Sequence, residues 1–159
     1  MSNSNPTPTN DRELVISRVL NAPRDLVYRA WTNPDLLSKW WTPRPWSTPV
    51  VEMDLKPGGV FRTVMKDPEG NEYPNAGVFL EVTSDKIVFT DAFTPGWFPN
   101  PDPFILAIIT FEEEDGKTRY TARVRHFSVE AKEKHEEMGF HDGWGTGLSQ
   151  FEEILATLV

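Results

Sequence analysis

Turn-forming residues punctuate the chain at short intervals, and this spacing constrains the fold more than any other feature. Pro-Gly, Asp-Pro and Asp-Gly groups separate short apolar or alternating segments between residues 50 and 127. Such spacing predicts an antiparallel meander. The segment 104–111 (FILAIITF) is apolar on both faces, so we expect it inside the sheet. The six candidate strands cover about residues 50–55, 59–66, 72–83, 86–93, 104–113 and 118–127.

Alternating side chains predict which face of two strands is packed. In strand 118–127, Tyr120, Ala122, Val124 and His126 share one face, and the other carries Arg119, Thr121, Arg123 and Arg125. In strand 86–93, the side chains that share a face are Ile87, Phe89, Asp91 and Phe93. This alternation is typical of a sheet with one packed face and one wetter face.

Helical patterns flank the meander. Residues 13–20 predict a first strand, and two helix-start signals, at Asn21 to Pro23 and at Asn33-Pro34, predict two short helices after it. Residues 129–158 predict one long amphipathic helix, with an apolar stripe at spacings of three and four residues. Glycine is costly inside a helix, so Gly139, Gly143, Gly145 and Gly147 indicate a local irregularity or a close neighbour.

The length of 159 residues fits a single domain. Residues 1–11 are polar with two prolines, so we expect a disordered tail before one domain at 12–159. A net charge of −8 argues against a nucleic-acid binder and against docking on anionic lipid. No apolar run reaches the roughly 18 residues of a membrane span, and the first ten residues do not resemble a secretory signal.

The chain contains no cysteine. Disulfides, thiolate metal sites and cysteine nucleophiles are therefore excluded, and we expect a cytoplasmic protein. The three histidines do not form a metal motif such as H-E-x-x-H, so we expect no zinc and no other cofactor. Homodimerisation is left open.

The element order is α+β, with one strand, two short helices, six strands and a long helix. Five segments in this order carry recognisable motifs: NPDLLSKWW (33–41), VEMDLKPGGVFR (51–62), G-x-F-x-E-V (77–82), DKIVFTD (85–91) and GWGTGLSQFEEIL (143–155). With these motifs the chain resembles the SRPBCC (START-like) superfamily, and within it proteins similar to the C-terminal domain of the activator of the heat-shock-protein-90 ATPase.

The resemblance implies a helix-grip fold, in which a curved antiparallel sheet of six to seven strands grips the C-terminal helix around a mostly apolar cavity. Members include lipid carriers, aromatic polyketide cyclases, hydrolases and co-chaperone domains, so function has to be argued from the site. The expected apolar contacts to a ligand are Phe61, Met65, Phe79, Phe89, Phe104, Ile108, Trp144 and Leu148.

Trp40, Trp41, Arg44 and Trp46 lie where the short helices should meet the sheet. They can form a hydrophobic plug, or a pocket wall in which Arg44 anchors an anionic ligand. Both descriptions can hold, because the adjacent Trp40 and Trp41 cannot point the same way.

Other polar candidates each have a structural alternative. His141 is either a core histidine or a pocket-lining acid, base or anchor, and His126 can face inward near the end of its strand. Asp91 is either a buried carboxylate or a solvated strand end, and Arg123 either lines the cavity or lies in water. On a continuous helix, His135 and His141 point apart and cannot share a metal.

The loop at 94–103 holds four prolines with Trp97 and Phe98, so it cannot join the sheet. It is either a rigid connection or a lid over the cavity. The glycines at 143–147 do not follow a strand and lack phosphate-loop spacing, and no nucleophile elbow is present.

Three hypotheses follow. The first is a small soluble protein that binds a hydrophobic or aromatic small molecule, with Arg44, Asp91 or His141 orienting it. The second is a cyclase- or dehydratase-like enzyme acting on an aromatic precursor, which a deep polar pair with perturbed pKa values would favour. The third is a co-chaperone-like module that binds a chaperone through its outer surface.

Overall fold

Seven strands form one antiparallel sheet in the computed structural model, which describes residues 5–158. These strands are β1 (Glu13–Leu20), β2 (Ser47–Met53), β3 (Val60–Lys66), β4 (Glu72–Val82), β5 (Lys86–Thr90), β8 (Ile105–Glu114) and β9 (Lys117–His126). Two further strands, β6 (Phe93–Thr94) and β7 (Phe98–Pro99), pair separately. The helices are α1 (Arg24–Thr32), α2 (Pro34–Leu37), α3 (Val129–Glu137) and α4 (Phe140–Leu158).

The sheet order is β1-β9-β8-β5-β4-β3-β2, so the first strand lies at one edge and β8 lies inside. Helices α1, α2 and α4 bury Trp31, Leu37 and Phe151 against one face of the sheet. The predicted α+β helix-grip fold is confirmed, including the interior position of the doubly apolar strand. No helix within residues 5–158 is both long enough and apolar enough to cross a bilayer.

The predicted packed face of β9 is the face that meets the helices. Tyr120, Ala122 and Val124 are buried there, opposite Phe111, Ile109 and Ala107 of β8. Each of these six side chains has at most 2 % of its surface exposed, so strands β8 and β9 supply the centre of the core. Burial of this apolar area is the main stabilising contribution to the sheet–helix packing.

On the opposite face of the sheet a buried carboxylate joins two arginines. Glu13 accepts hydrogen bonds of 2.8 Å from Arg123 Nη1, from Arg125 Nε and from the backbone N–H of Thr9. Burial by itself would raise the pKa of Glu13, but these hydrogen bonds outweigh it and lower the pKa below its usual range. The carboxylate is therefore ionised, and the two arginines balance its charge at the edge of the sheet.

The described part of the predicted tail runs beside β1. Ser17 donates its backbone N–H to Asn5 Oδ1 at 2.9 Å, and Thr9 contacts Glu13 as above. The Ser17 contact lies on the edge of β1 that pairs with no other strand among the described residues. Residues 1–4 of the predicted tail lie outside the described residues, and disorder of the whole segment stays a prediction.

The prediction of one continuous helix over 129–158 is wrong. Helix α3 ends at Glu137 and α4 begins at Phe140, with Gly139 between them at a φ of +96°. That left-handed conformation suits glycine and terminates a helix. Strand 86–93 is also shorter than predicted, since β5 ends at Thr90 and Phe93 pairs with Pro99 in the small hairpin.

Gly77 of β4 allows the backbone at the end of β5 to pass unusually close. A Cβ built at Gly77 would lie 2.1 Å from the carbonyl oxygen of Thr90. We expect Gly77→Ala to lower the free energy of unfolding by roughly 3 kcal/mol, since neither backbone can move cheaply. Urea denaturation measures this loss.

Gly143→Ala in α4 is the matched control, because a Cβ there meets no atom within 4 Å. Alanine favours a helix by up to ~1 kcal/mol over glycine, so this variant should be at least as stable as the parent. Equal stability of the Gly77→Ala variant and the parent would contradict the proposed close approach.

Candidate functional site

A cavity of about 380 Å³ lies between the inner face of the sheet and the first half of α4. Strands β3, β4, β5, β8 and β9 contribute its wall, and the turn after α2 and the α3–α4 junction complete it. Asn75, Ala76 and Met138 line it and are also exposed, so they mark its opening to solvent. The lining is mostly apolar.

The structure places nine of the predicted ligand-binding residues around this cavity. They come from five strands or loops and from α4, and meet only in the folded chain. These residues are Trp40, Trp41, Phe61, Met65, Phe89, Asp91, Phe104, Trp144 and Leu148.

Aromatic rings form one end of the cavity. Trp40 stacks on Phe151 with ring centroids 3.9 Å apart, and Trp41 meets both Trp31 and Phe61 edge-on at 5.6 Å. The two adjacent tryptophans lie at 67° to each other, and both line the cavity. They therefore combine the two predicted roles, plug and pocket wall.

Gln150 of α4 holds the turn that carries these tryptophans. Its side-chain amide donates to the carbonyl oxygens of Trp40 (3.1 Å) and Thr42 (2.9 Å) and accepts from the backbone N–H of Arg44 (2.8 Å). Only 2 % of Gln150 is exposed. The turn lies outside any helix or strand, so this side chain satisfies backbone groups that have no regular partner.

Tyr120 lines the cavity, and its hydroxyl is hydrogen-bonded to Trp31. Its oxygen accepts from Trp31 Nε1 at 3.1 Å, and burial raises the pKa of this phenol well above its usual value. Among the described residues, no acceptor receives the hydroxyl hydrogen itself. Tyr120 therefore stays neutral at neutral pH.

A pair of histidines lies at the other end of β9. His126 Nδ1 is 2.9 Å from the carbonyl oxygen of Arg12, and His126 Nε2 is 2.9 Å from His135 Nδ1. A carbonyl only accepts, so the N–H of neutral His126 is on Nδ1 and its Nε2 accepts. His135 therefore donates from Nδ1, and its Nε2 is a bare acceptor.

That acceptor has no partner among the described residues and is accessible, and its residue lines the cavity. Within residues 5–158, every fully buried side-chain nitrogen or oxygen has a hydrogen-bond partner. His135 Nε2 has none, although only 9 % of the residue is exposed and the residue lines the cavity. Burial and the nearby His126 lower the pKa of His135 to about 4, so its ring is neutral at neutral pH.

Asp91 lines the cavity, but its carboxylate is engaged by backbone groups. The two oxygens accept from the N–H of Phe104 at 2.9 and 3.0 Å, and one also accepts from Ile105 at 3.1 Å. The side chain thus closes the loop between the end of β5 and the start of β8. Asp91 directly follows β5, so its position matches the strand end, one of the two descriptions predicted for it.

Three predicted ligand-binding residues do not line the cavity, because their side chains contact other residues. Arg44 is exposed and pairs with Glu153 at 3.0 Å, and Trp46 is exposed and stacks on Tyr73 at 5.2 Å. Phe79 is fully buried in the core against Phe61, behind the cavity wall.

Three more predicted residues do not line the cavity. Ile108 and Arg123 are paired neighbours on the far face of the sheet, where Arg123 binds Glu13. His141 is exposed, with Nε2 3.2 Å from the carbonyl oxygen of Val15 in edge strand β1. His141 lies in the first turn of α4, on the side that meets β1, whereas Trp144 and Leu148 of the same helix line the cavity.

The proline-rich loop forms the β6–β7 hairpin, and its aromatic rings do not line the cavity. Trp97 is 53 % exposed and meets Phe93 edge-on at 5.8 Å. A Cβ at Gly58 would lie 3.0 Å from the Trp97 ring, so the hairpin packs against the turn before β3. Phe98 is 67 % exposed. The β6–β7 hairpin therefore connects β5 to β8 beside the cavity wall and does not cover the cavity.

Sequence reasoning missed His135, Tyr120 and Phe140 as lining residues. Tyr120 and His126 share the predicted inner face of β9, so the alternation of side chains in that strand already indicated that Tyr120 faces inward. His135 lies in α3, which begins directly after β9 and returns the His135 side chain to the end of that strand. The spacing of residues in the sequence does not show this contact.

Within residues 5–158, no group of three or more His, Asp or Glu side chains is placed to hold a metal ion. Of the four ring nitrogens in the histidine pair, only His135 Nε2 lacks a hydrogen-bond partner. A single free imidazole nitrogen is too few ligands for the usual zinc geometry.

Comparison with known proteins supports the fold and the family. The family model described as Activator of Hsp90 ATPase homolog 1-like protein matches residues 21–156. A Nitrosomonas europaea crystal structure is 44% identical, with a TM-score of 0.89, and the match covers 92% of this chain and 96% of that one. No curated protein matches the chain.

More distant structures share the fold. A Mycobacterium smegmatis protein is 27% identical with a TM-score of 0.80, over 96% of this chain and 95% of that one. An AHSA1-like protein from Aeromonas hydrophila is 18% identical with a TM-score of 0.71, over 92% and 93%.

The histidine pair should make stability depend on pH between 7 and 5. Burial lowers the pKa of both rings from 6.5, that of His135 to about 4, so the unfolded chain takes up protons first as pH falls. We expect a loss of roughly 2 kcal/mol between pH 7 and pH 5. Urea titrations at the two pH values measure it.

The double variant His126→Phe/His135→Phe should lose most of this pH dependence, whatever its absolute stability. Glu13 loses its stabilising charge only as pH falls below its unfolded pKa of 4.5, outside this window. An unchanged difference between pH 7 and pH 5 in the double variant would show that other groups cause it.

Proposed function

The chain belongs to the Activator of Hsp90 ATPase homolog 1-like family, and we propose that it binds a hydrophobic or aromatic small molecule in the cavity under α4. The observation that supports this proposal most directly is the cavity itself. It is mostly apolar, opens to solvent beside Met138, and carries one ring nitrogen, His135 Nε2, without a hydrogen-bond partner among the described residues. Such a combination is typical of small-molecule sites.

The size of the cavity narrows the class of ligand. At about 380 Å³ it lies at the small end of the roughly 300–1,000 Å³ range of ligand pockets. A two- or three-ring aromatic molecule suits that volume better than a sterol or a long acyl chain. Trp41, Phe61 and Phe89 offer faces and edges for aromatic contact, and their mutual packing holds them in place.

The polar groups in the cavity support binding more than proton transfer. Tyr120 and His126 are six residues apart on one strand, about 20 Å between backbones, so Tyr120 and His135 do not converge on one ligand atom. The pKa of Tyr120 is raised and that of His135 is lowered, which makes each a poor acid or base at neutral pH. The cyclase- or dehydratase-like alternative therefore ranks second.

The exposed aromatic pair of the β6–β7 hairpin supports a surface-interaction alternative. Trp97 and Phe98 are 53 % and 67 % exposed, and neighbouring exposed aromatic rings are typical of contact sites. A chaperone remains a proposed partner on this basis. Cytoplasmic location and homodimerisation also stay predictions.

A thermal-shift screen with naphthalene, anthracene, fatty-acid and sterol derivatives tests the proposal. A ligand at a hundred times its dissociation constant adds about 2.7 kcal/mol of stability. For a chain of this length that corresponds to a rise of roughly 5–10 °C in Tm. We expect the two- and three-ring compounds to raise the Tm and the sterols to leave it unchanged.

Gly143→Leu supplies the matched test of location. Gly143 lines the cavity one helical turn before Gly147, and a side chain there would project into open space. The variant should fold and lose the ligand-induced shift. Thr146→Leu adds the same side chain on the exposed face of α4 and should keep it. A flat response of the parent protein to the whole panel would refute the cavity proposal and favour the hairpin surface.

A further inference from the structure

The histidine pair has a fixed direction. It begins at the backbone carbonyl of Arg12, which cannot donate, so each imidazole in turn donates from Nδ1 and accepts at Nε2. The series ends at His135 Nε2 beside the cavity. Reversal of the series would require a proton on His126 Nε2 and would leave the Arg12 carbonyl facing a bare nitrogen at 2.9 Å.

Aromatic neighbours hold the His135 ring in this orientation. The centroid of Phe104 lies 4.7 Å from that of His135, and the centroid of Phe140 lies 5.1 Å away. His126 meets the same ring edge-on at 5.1 Å. These three rings leave His135 little freedom to turn its acceptor away from the cavity.

We propose that His135 Nε2 is a selectivity element that favours cavity ligands carrying a hydroxyl or N–H group on an aromatic body. This inference rests on the proposed ligand-binding function. An apolar ligand that expels water from the acceptor leaves it without a partner, which costs binding free energy. A hydroxyl at the same position satisfies it, whereas an ether or carbonyl oxygen meets it lone pair to lone pair.

The protonation state agrees with this role. Because burial and His126 lower the pKa of His135, the ring is an acceptor over the whole physiological range. A protonated ring would instead attract carboxylates and acceptor oxygens. His126 acts through His135 as a positioning residue, since it fixes the tautomer.

Two ligands of matched shape test the selectivity, 2-naphthol and 2-methylnaphthalene. Calorimetry gives the ratio of their dissociation constants for the parent, for His135→Phe and for His141→Phe. His135→Phe keeps an aromatic ring among its neighbours and removes the acceptor. We expect the preference for naphthol to fall about five- to tenfold, the effect of one hydrogen bond.

His141→Phe makes the same substitution at an exposed histidine outside the cavity, and the ratio should stay at the parent value. An unchanged ratio in His135→Phe overturns the inference while leaving the proposed function intact. If neither naphthalene binds the parent, the inference fails, and the proposed function fails with it where the whole thermal-shift panel is also flat.

Nitrogen-15 NMR of the ligand-free parent tests the inference without any variant. We expect His135 to show a protonated Nδ1 and a bare Nε2 at pH 7. A protonated Nε2 overturns the inference. In His126→Leu, His135 should become a mixture of the two tautomers and the naphthol preference should weaken, an effect that a purely structural role for His126 would not produce.

Discussion

The arrangement of the cavity depends on the buried amide of Gln150. The turn after α2 contains prolines and forms no regular structure, yet it is packed between α4 and the sheet, where unpaired backbone groups are costly. Gln150 supplies one acceptor and two donors to that turn. Its hydrogen bonds set the distance between the turn and α4, and the stack of Trp40 on Phe151 follows from that distance.

The cavity exists because rigid rings hold its two ends apart. At one end the tryptophans pack against Phe61 and Phe151, and at the other Phe104 and Phe140 surround His135. Between them, α4 carries glycine at 143 and 147, where a larger side chain would fill space or press on the turn. The glycines that make this segment a poor helix in isolation therefore serve the shape of the site.

The sequence predicted the fold well, because alternation and turn spacing are local signals. The inner face of β9 and the interior position of β8 both followed from side-chain periodicity. The polar residues of the site were harder to predict. Arg44 and His141 looked like ligand anchors, but an ion pair with Glu153 and the carbonyl of Val15 engage them. Nothing in local spacing reveals such distant partners.

The chain segment from β9 into α3 shows how backbone placement determines the chemistry of the site. Helix α3 begins at Val129, directly after β9, and brings His135 against His126 at the end of that strand. Because β1 pairs with β9, the Arg12 carbonyl before β1 lies within reach of His126, which donates to it and accepts from His135. A single carbonyl at the edge of the sheet thereby determines which nitrogen of His135 is free to meet a ligand.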